Sequence, residues 1–301
     1  MNARISKIEQ ALDALEPLER ECTLCPRECR VDRKAGRTGT CQTGSQAVVS
    51  HALLHYGEEP VLSGFHDCAE DRKDGRTRAG GSGTIFFACC NLKCLFCQNY
   101  QLSWQMQGQT VNDDKLAAFM ICLQEQGAYN INLVSPTHVI VPILRALKIA
   151  CAEGLSIPIV YNSNGYDKID VIEKLGGILD IYLPDIKYFS PKISKKFSGA
   201  PYYFFHAGPA VQEMFFQQPD FVLSDEGIAR LGCILRHLIL PGHVEDSLAI
   251  LDWVAEKFPP TICLSLMSQY HPCFRAPEEI QRPLTASEYR TVVVRAKELG
   301  F

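Results

Sequence analysis

The chain has 301 residues, 47% hydrophobic and 21% charged, which is enough to bury a large core in one big domain or a main domain with a small one. Its formal charge of -4, from 30 Lys and Arg against 34 Asp and Glu, argues against broad electrostatic capture of nucleic acid, which depends on neutralising many phosphates. No uncharged apolar run is long enough to span a bilayer, and the opening MNARISKIEQALDALEPLERE alternates charge with apolar residues where a secretory leader needs an unbroken apolar stretch, so a cytoplasmic protein without a membrane span is expected.

Residues 5–20 predict an amphipathic helix, with Ile5, Ile8, Leu12, Leu15 and Leu18 at helical intervals and Pro17 near its end. The next stretch, CTLCPRECRVDRKAGRTGTC, has no periodic run and carries Cys22, Cys25, Cys29 and Cys41 as C-x2-C-x3-C-x11-C. Close cysteine spacing in a reduced compartment favours a metal over a disulfide framework. Zinc and a second [4Fe-4S] cluster both accept four thiolates, and the spacing does not choose between them. GEEPVLSGF (57–65) reads as a solvated acidic turn in which Glu58 and Glu59 have no assigned role, and DRKDGRTR (71–78) as an exposed loop. GGSGT (80–84) lacks a phosphate-loop lysine and reads as the glycine-rich entry of the chain into a sheet.

From residue 84 short apolar runs recur at 84–88, 129–134, 157–162, 178–187, 233–240 and 261–267, with helix-like stretches at 113–126, 137–151, 168–175, 209–217 and 244–257 and a last one at 286–298. Unbroken apolar strands alternating with helices describe a parallel sheet covered by helices, and six units favour a partial, open (β/α)6 barrel over a closed eight-unit one. The expected organisation is an α/β protein with an N-terminal helix and cysteine-rich segment over 1–80 and a core domain with a C-terminal helix over 81–301. In such folds the chemistry sits at the C-terminal strand ends, where Cys90, Ser135, Asn162, Asp185, Lys187, Arg236, Gln269 and His271 fall.

CCNLKCLFCQNY contains C-x3-C-x2-C as Cys90, Cys94 and Cys97, directly after the first of these strands. Three thiolates hold three irons of a [4Fe-4S] cube and leave the fourth iron open. S-adenosylmethionine can bind that iron through its amino and carboxylate groups, and one electron then breaks its sulfonium C–S bond. Structural zinc prefers four ligands, and adjacent Cys89 rarely points the same way as Cys90 on a strand. Cys122, Cys151, Cys233 and Cys263 lie among apolar residues and read as buried small hydrophobes, while Cys68 and Cys273 have no assigned role.

CPRECRVDR with the later GTC, GEEPVLSG, GSGTIFFACCNLKCLFCQNYQLS, NLVSPTH, YNSNGY, LPDIKYF, RHLILPGH and LMSQYHP, together spanning about residues 22–295, resemble the radical S-adenosylmethionine superfamily. They are more closely similar to proteins like pyruvate formate-lyase activating enzyme with an added cysteine-rich N-terminal region. Several roles follow from the resemblance. Residues Leu133 to Thr137 stand where the superfamily's glycine-rich turn contacts the methionine amino group; lacking Gly-Gly-Glu, they leave that contact to backbone carbonyls with Ser135 or Thr137. Asn162 and Asn164 are implied for ribose or carboxylate, Asp185 for ribose or the amino group, and Lys187 for the methionine carboxylate. Arg236 is implied for that carboxylate or a substrate anion, and His271 for ribose or adenine. His237 and His243 read as supporting or cap residues, and His206 as packing beside Phe204 and Phe205.

The resemblance implies cleavage of S-adenosylmethionine to a 5′-deoxyadenosyl radical that abstracts hydrogen from a glycyl-radical-type partner protein or a small molecule, with a low-potential donor such as flavodoxin or ferredoxin. A non-catalytic iron–sulfur electron carrier and a zinc-folded interaction module are the alternatives.

Overall fold

The computed structural model describes residues 2–64 and 80–301; Cys68 and the 71–78 segment lie outside the described residues. In chain order the elements are α1 (Asn2–Leu15), β1 (Ala47–His55), α2 (Pro60–Ser63), β2 (Ser82–Phe87), α3 (Tyr100–Ser103), β3 (Gln109–Val111), α4 (Asp113–Glu125), β4 (Ile131–Val134), α5 (Ile140–Ala152) and β5 (Ile159–Ser163). They continue with α6 (Ile169–Glu173), β6 (Ile181–Pro184), α7 (Pro191–Ser198), α8 (Tyr203–Gln217), β7 (Val222–Leu223), β8 (Ala229–Leu238), α9 (Val244–Lys257), β9 (Cys263–Met267) and α10 (Ala286–Glu298).

The strands form one mixed sheet in the order β3-β1-β2-β4-β5-β6-β8, with β7 antiparallel and β9 parallel beside β8. Strands β2, β4, β5, β6, β8 and β9 run parallel, and they are the six expected from the apolar runs. The result is an α/β fold resembling a partial barrel, extended at one edge by antiparallel β1 and β3. Every residue of β5 and β6 is buried, which is why these strands read as unbroken apolar runs rather than alternating ones. The expected boundary at residue 80 falls between β1 and β2, which pair antiparallel from Val49–Phe87 to His55–Ser82; residues 47–55 are thus a strand of the same sheet.

Local signals set the helix ends. The Asn112 side chain accepts from Lys115 N–H ahead of α4, whose first turn holds Asp113 and Asp114, satisfying a free amide and the helix dipole together. Thr285 and Glu288 form a reciprocal capping box at the start of α10. Helix α1 buries Ile8, Ala11 and Leu15 in the large core shared with α4, α5 and the sheet, and a turn of 3-10 helix over Glu16–Glu19 takes the place of its expected last turn.

Glycines carry the chain into the sheet beside the cysteine loop. Gly80 and Gly81 have φ of +101° and +96°, and a Cβ on Gly83 would stand 2.6 Å from the Asn130 carbonyl. One cysteine departs from expectation: Cys122 is exposed on α4, while Cys151 and Cys233 are buried and Cys263 is half-buried. Position 122 falls between the core-facing Met120 and Leu123, so its apolar neighbours in sequence are not neighbours on its own helix face.

Candidate functional site

The loop after β2 places Cys90, Cys94 and Cys97 on one cavity of about 290 Å³ at the C-terminal ends of the parallel strands. The same cavity is lined by Ser135 after β4, Asn162 and Asn164 at the end of β5, Asp185 and Lys187 after β6, and Arg236 on β8. Phe96 and Tyr270 supply apolar wall in edge contact at 5.7 Å between ring centroids. His271 is exposed and does not line it, and the neighbouring Gln269 and Tyr270 do so instead.

Each of the three sulfurs accepts a hydrogen bond. Cys90 Sγ accepts from Asn164 Nδ2 at 3.3 Å and from the Leu92 amide at 3.4 Å. Cys94 Sγ accepts from Ser198 Oγ at 3.0 Å, and Cys97 Sγ from Ser103 Oγ at 3.2 Å. These donors come from β5, α7 and α3, so the loop is fixed by three separate parts of the fold. Burial pushes the Cys90 thiol up to about 12 and raises that of Cys97; a metal arriving here displaces protons as it binds.

Opposite the thiols lies a buried charge network. Arg236 donates from Nε to Asp185 Oδ1 at 2.9 Å and from Nη2 to Asn162 Oδ1 at 2.6 Å, while Lys187 Nζ donates to Asp185 Oδ2 at 2.5 Å. Burial would raise the Asp185 carboxyl, but Arg236 and Lys187 outweigh it and hold it below the usual carboxylate range. Burial likewise opposes the charge of Lys187, and Asp185 with Cys94 overrides it to raise the ammonium. Both cations are therefore charged and already share one carboxylate.

The loop YNSNGYD after β5 is fixed from beneath. Asp167, buried, accepts from Thr137 Oγ1 at 2.7 Å and Tyr161 Oη at 2.8 Å, and also from Ser163 Oγ. Tyr203 Oη donates toward the carbonyls of Asn164 and Asp185, at 2.8 and 3.0 Å. Gly165 has φ of +77°, and a Cβ there would meet the Asp185 carbonyl oxygen at 2.1 Å, so only glycine lets these two strand ends approach. Cys89 and Ser135, at φ of +70° and +60°, hold left-handed backbone at the ends of β2 and β4, a conformation that non-glycine residues adopt at a cost.

Glu58 and Glu59 are not the solvated turn expected from their sequence. Their side chains are 10% and 18% exposed, with carboxylates 3.6 and 4.0 Å from Arg236 Nη1, and Ser265 Oγ donates to Glu59 Oε1 at 3.3 Å. Burial raises Glu58, with Arg236 acting against it. The turn folds against the strand ends because Arg236 offers it charge, a non-local pairing with no local signature. Ser198, whose partner Cys94 is distant in sequence, was missed for the same reason, whereas Ser103 and Asp167 bond close in sequence, to Cys97 and to Tyr161 and Ser163, in short segments without a periodic pattern. His237, buried, spans the Ile186 carbonyl at 2.7 Å and Ser247 Oγ at 2.8 Å. His243 stands at the N-cap position of α9 without a capping bond, and His206 packs on Tyr166 at 5.8 Å.

The donor set fits an iron–sulfur cluster. Among the described residues no three His, Cys, Asp or Glu side chains gather as ligands of a single metal ion. A [4Fe-4S] cluster does not require that, because each thiolate binds a different iron. Thiols on one cavity, each with a hydrogen-bond donor, are what such a cluster needs from the chain.

No protein-family model matches the chain. An uncharacterized protein of Methanocaldococcus jannaschii is 28% identical over 293 residues, covering 94% of this chain and 76% of that one. Among solved structures, Streptococcus suis SuiB matches with a TM-score of 0.47 at 15% identity, over 72% of this chain and 45% of that one. SuiB bound to precursor peptide SuiA gives 0.47 at 14%, over 70% and 43%. The FeFe-hydrogenase maturase HydG from Carboxydothermus hydrogenoformans gives 0.47 at 12%, over 70% and 49%. The chain spans less than half the length of these solved chains. Among the described residues no helix is long and apolar enough to cross a membrane.

Proposed function

We propose that this chain is a radical S-adenosylmethionine enzyme. The observation that carries the reading is the convergence of Cys90, Cys94 and Cys97 with Asn162, Asp185, Lys187 and Arg236 on one cavity at the C-terminal ends of parallel strands. Three thiols would hold a [4Fe-4S] cluster with one iron open to the nucleoside. When bound and reduced, the cluster supplies the electron that cleaves S-adenosylmethionine to methionine and a 5′-deoxyadenosyl radical.

The chain's own residues supply orientation and shielding. Phe96, buried between two of the thiols in sequence, excludes water from the reacting side. Asp185 is the acceptor for the ligand's amino or ribose hydroxyl donors, and Asn162 and Asn164 add neutral hydrogen-bonding capacity. Lys187 and Arg236 face the ligand's carboxylate as a pair already positioned by Asp185, so little ordering is needed on binding. Ser135 presents backbone and hydroxyl where the resemblance places the amino-group contact.

Hydrogen abstraction from a partner protein, in the manner of glycyl-radical activation, is the reaction we infer next, with flavodoxin or ferredoxin as the class of donor; a small-molecule substrate is the alternative. The test of the first step is a spectrum. After anaerobic reconstitution with iron and sulfide and reduction, S-adenosylmethionine is expected to alter the electron paramagnetic resonance of the protein, and Cys94→Ala to abolish that nucleoside-dependent change. A cluster indifferent to the nucleoside would instead support a non-catalytic electron carrier. Transfer of deuterium from labelled candidate partners into 5′-deoxyadenosine then identifies the target.

A further inference from the structure

A second set of cysteines lies outside this cavity. Cys22, Cys25 and Cys41 are buried and Cys29 is half-buried, and all four line a small cavity with Gly39 and His138. No helix or strand occurs between Glu19 and Ala47, so the segment is shaped by a few specific bonds. Cys22 N–H donates to the Val31 carbonyl at 2.9 Å and Arg30 N–H to the Cys22 carbonyl at 3.0 Å, folding 22–31 back on itself. Gly39 then lies against Cys29: a Cβ there would stand 2.6 Å from both Cβ and Sγ of the cysteine. Only glycine allows that approach, which brings Cys41 to the other three.

Backbone amides meet three of the four sulfurs. Cys22 Sγ accepts from the Leu24 amide, Cys25 Sγ from the Arg27 amide, and Cys29 Sγ from Thr40 N–H at 3.3 Å. Hydrogen bonds of this kind orient and support a metal-bound sulfur.

His138 is the independent sign of a ligand. Its ring is buried, and Nε2 lies 3.0 Å from the Ala88 carbonyl oxygen. A carbonyl only accepts, so Nε2 carries the proton. Arg33 and Lys93 are the charged neighbours, and a second ring proton would bury a cation beside two others. Nδ1 is therefore a bare lone pair, and it has no partner. A buried acceptor without a partner is costly to leave unmet, and here the ring that bears it lines the cysteine cavity.

We propose that Cys22, Cys25, Cys29 and Cys41 hold a second, thiolate-ligated metal centre with His138 Nδ1 at its wall. The donors are soft, and since among the described residues no three of them gather as ligands of a single metal ion, the centre is a [4Fe-4S] cluster, in which each thiolate takes a different iron. The centre stands directly behind the catalytic loop. Arg27, between two of the ligands, donates to the carbonyls of Asn91 at 2.9 Å, Gly199 at 2.6 Å and Ser198 at 3.2 Å, next to Cys90 and to the Ser198 hydroxyl that serves Cys94.

The test uses the full chain with Cys90→Ala, Cys94→Ala and Cys97→Ala together, so that any metal retained belongs to the second set whether or not the first site holds a cluster. One sample is reconstituted with iron and sulfide and another with zinc, and metal and sulfide are counted after desalting. We expect about four irons with about four sulfides per chain, lost when Cys25→Ser and Cys41→Ser are added. Because that variant can lose its fold, His138→Gln, which keeps every thiol, is the second probe, with metal affinity lowered about 10- to 100-fold. Retention of zinc alone or of neither metal, or retention unchanged by the cysteine substitutions, would overturn the proposal, and unchanged affinity in His138→Gln would overturn the place given to Nδ1.

Discussion

Asn164 Nδ2 donates to Cys90 Sγ at 3.3 Å and to Asn91 Oδ1 at 2.8 Å, tying the end of β5 to the first cysteine of the cluster loop. An amide in this position stabilises negative charge on the sulfur and orients the side chain that carries it. Asn164→Ala is expected to lower cluster retention or activity about 10- to 100-fold and to move the cluster potential to more negative values. Iron analysis and a redox titration check this; an unchanged potential would mean the bond is lost on cluster binding.

Asp185 is the shared partner of two buried cations. In Asp185→Asn neither Lys187 nor Arg236 has its full counter-charge, and breaking a buried ion pair by removing one partner costs about 3–5 kcal/mol. Urea unfolding of the metal-free protein measures this without reference to activity.

Gly165→Ala tests the close approach of β5 and β6. Both the left-handed φ of +77° and the 2.1 Å approach to the Asp185 carbonyl oppose a side chain. The expected loss is about 2 kcal/mol or more, read as a lower thermal midpoint, together with weaker nucleoside binding because Asp185 is displaced.

How much of this was legible beforehand depends on how local each signal is. The six parallel strands were readable as short apolar runs, most plainly β2, β4, β5 and β6, which are buried at nearly every position on both faces. That Cys90, Cys94 and Cys97, read from their C-x3-C-x2-C spacing, share one cavity with Asn162, Asp185, Lys187 and Arg236 was readable because strand ends converge in this architecture. Glu58 and Glu59 were not, since their partner is Arg236, distant in sequence and visible only once the turn is folded against β8. Ser103 and Ser198 are single hydroxyls on short helices, and their residue type alone does not mark them as donors to Cys97 and Cys94. His271 follows Tyr270 in an irregular segment; Tyr270 takes the buried side with its hydroxyl bonded to the Ile280 carbonyl at 2.8 Å, which leaves His271 outward. The strand character of 47–55 was overlooked because β1 is an antiparallel neighbour of β2, outside the alternation of strands and helices that defines the core.

His237 predicts a pH dependence of stability. Burial lowers its pKa below the ordinary value of 6.5, so the native ring stays neutral where the unfolded ring is already protonated. The unfolded state then binds more protons, and stability falls as pH drops from about 6.5 toward the lower native value. His237→Gln is expected to flatten the stability profile of the metal-free protein across that interval, at the cost of a lower plateau at neutral pH. Chemical denaturation at a series of pH values checks it.

The central claim concerns the bond-breaking step itself, and formation of 5′-deoxyadenosine measures it most directly. The anaerobically reconstituted, reduced protein supplied with S-adenosylmethionine should release 5′-deoxyadenosine and methionine, and Cys94→Ala should release neither. No nucleoside product from protein carrying its full complement of iron and sulfide, or equal product from Cys94→Ala, would contradict the account.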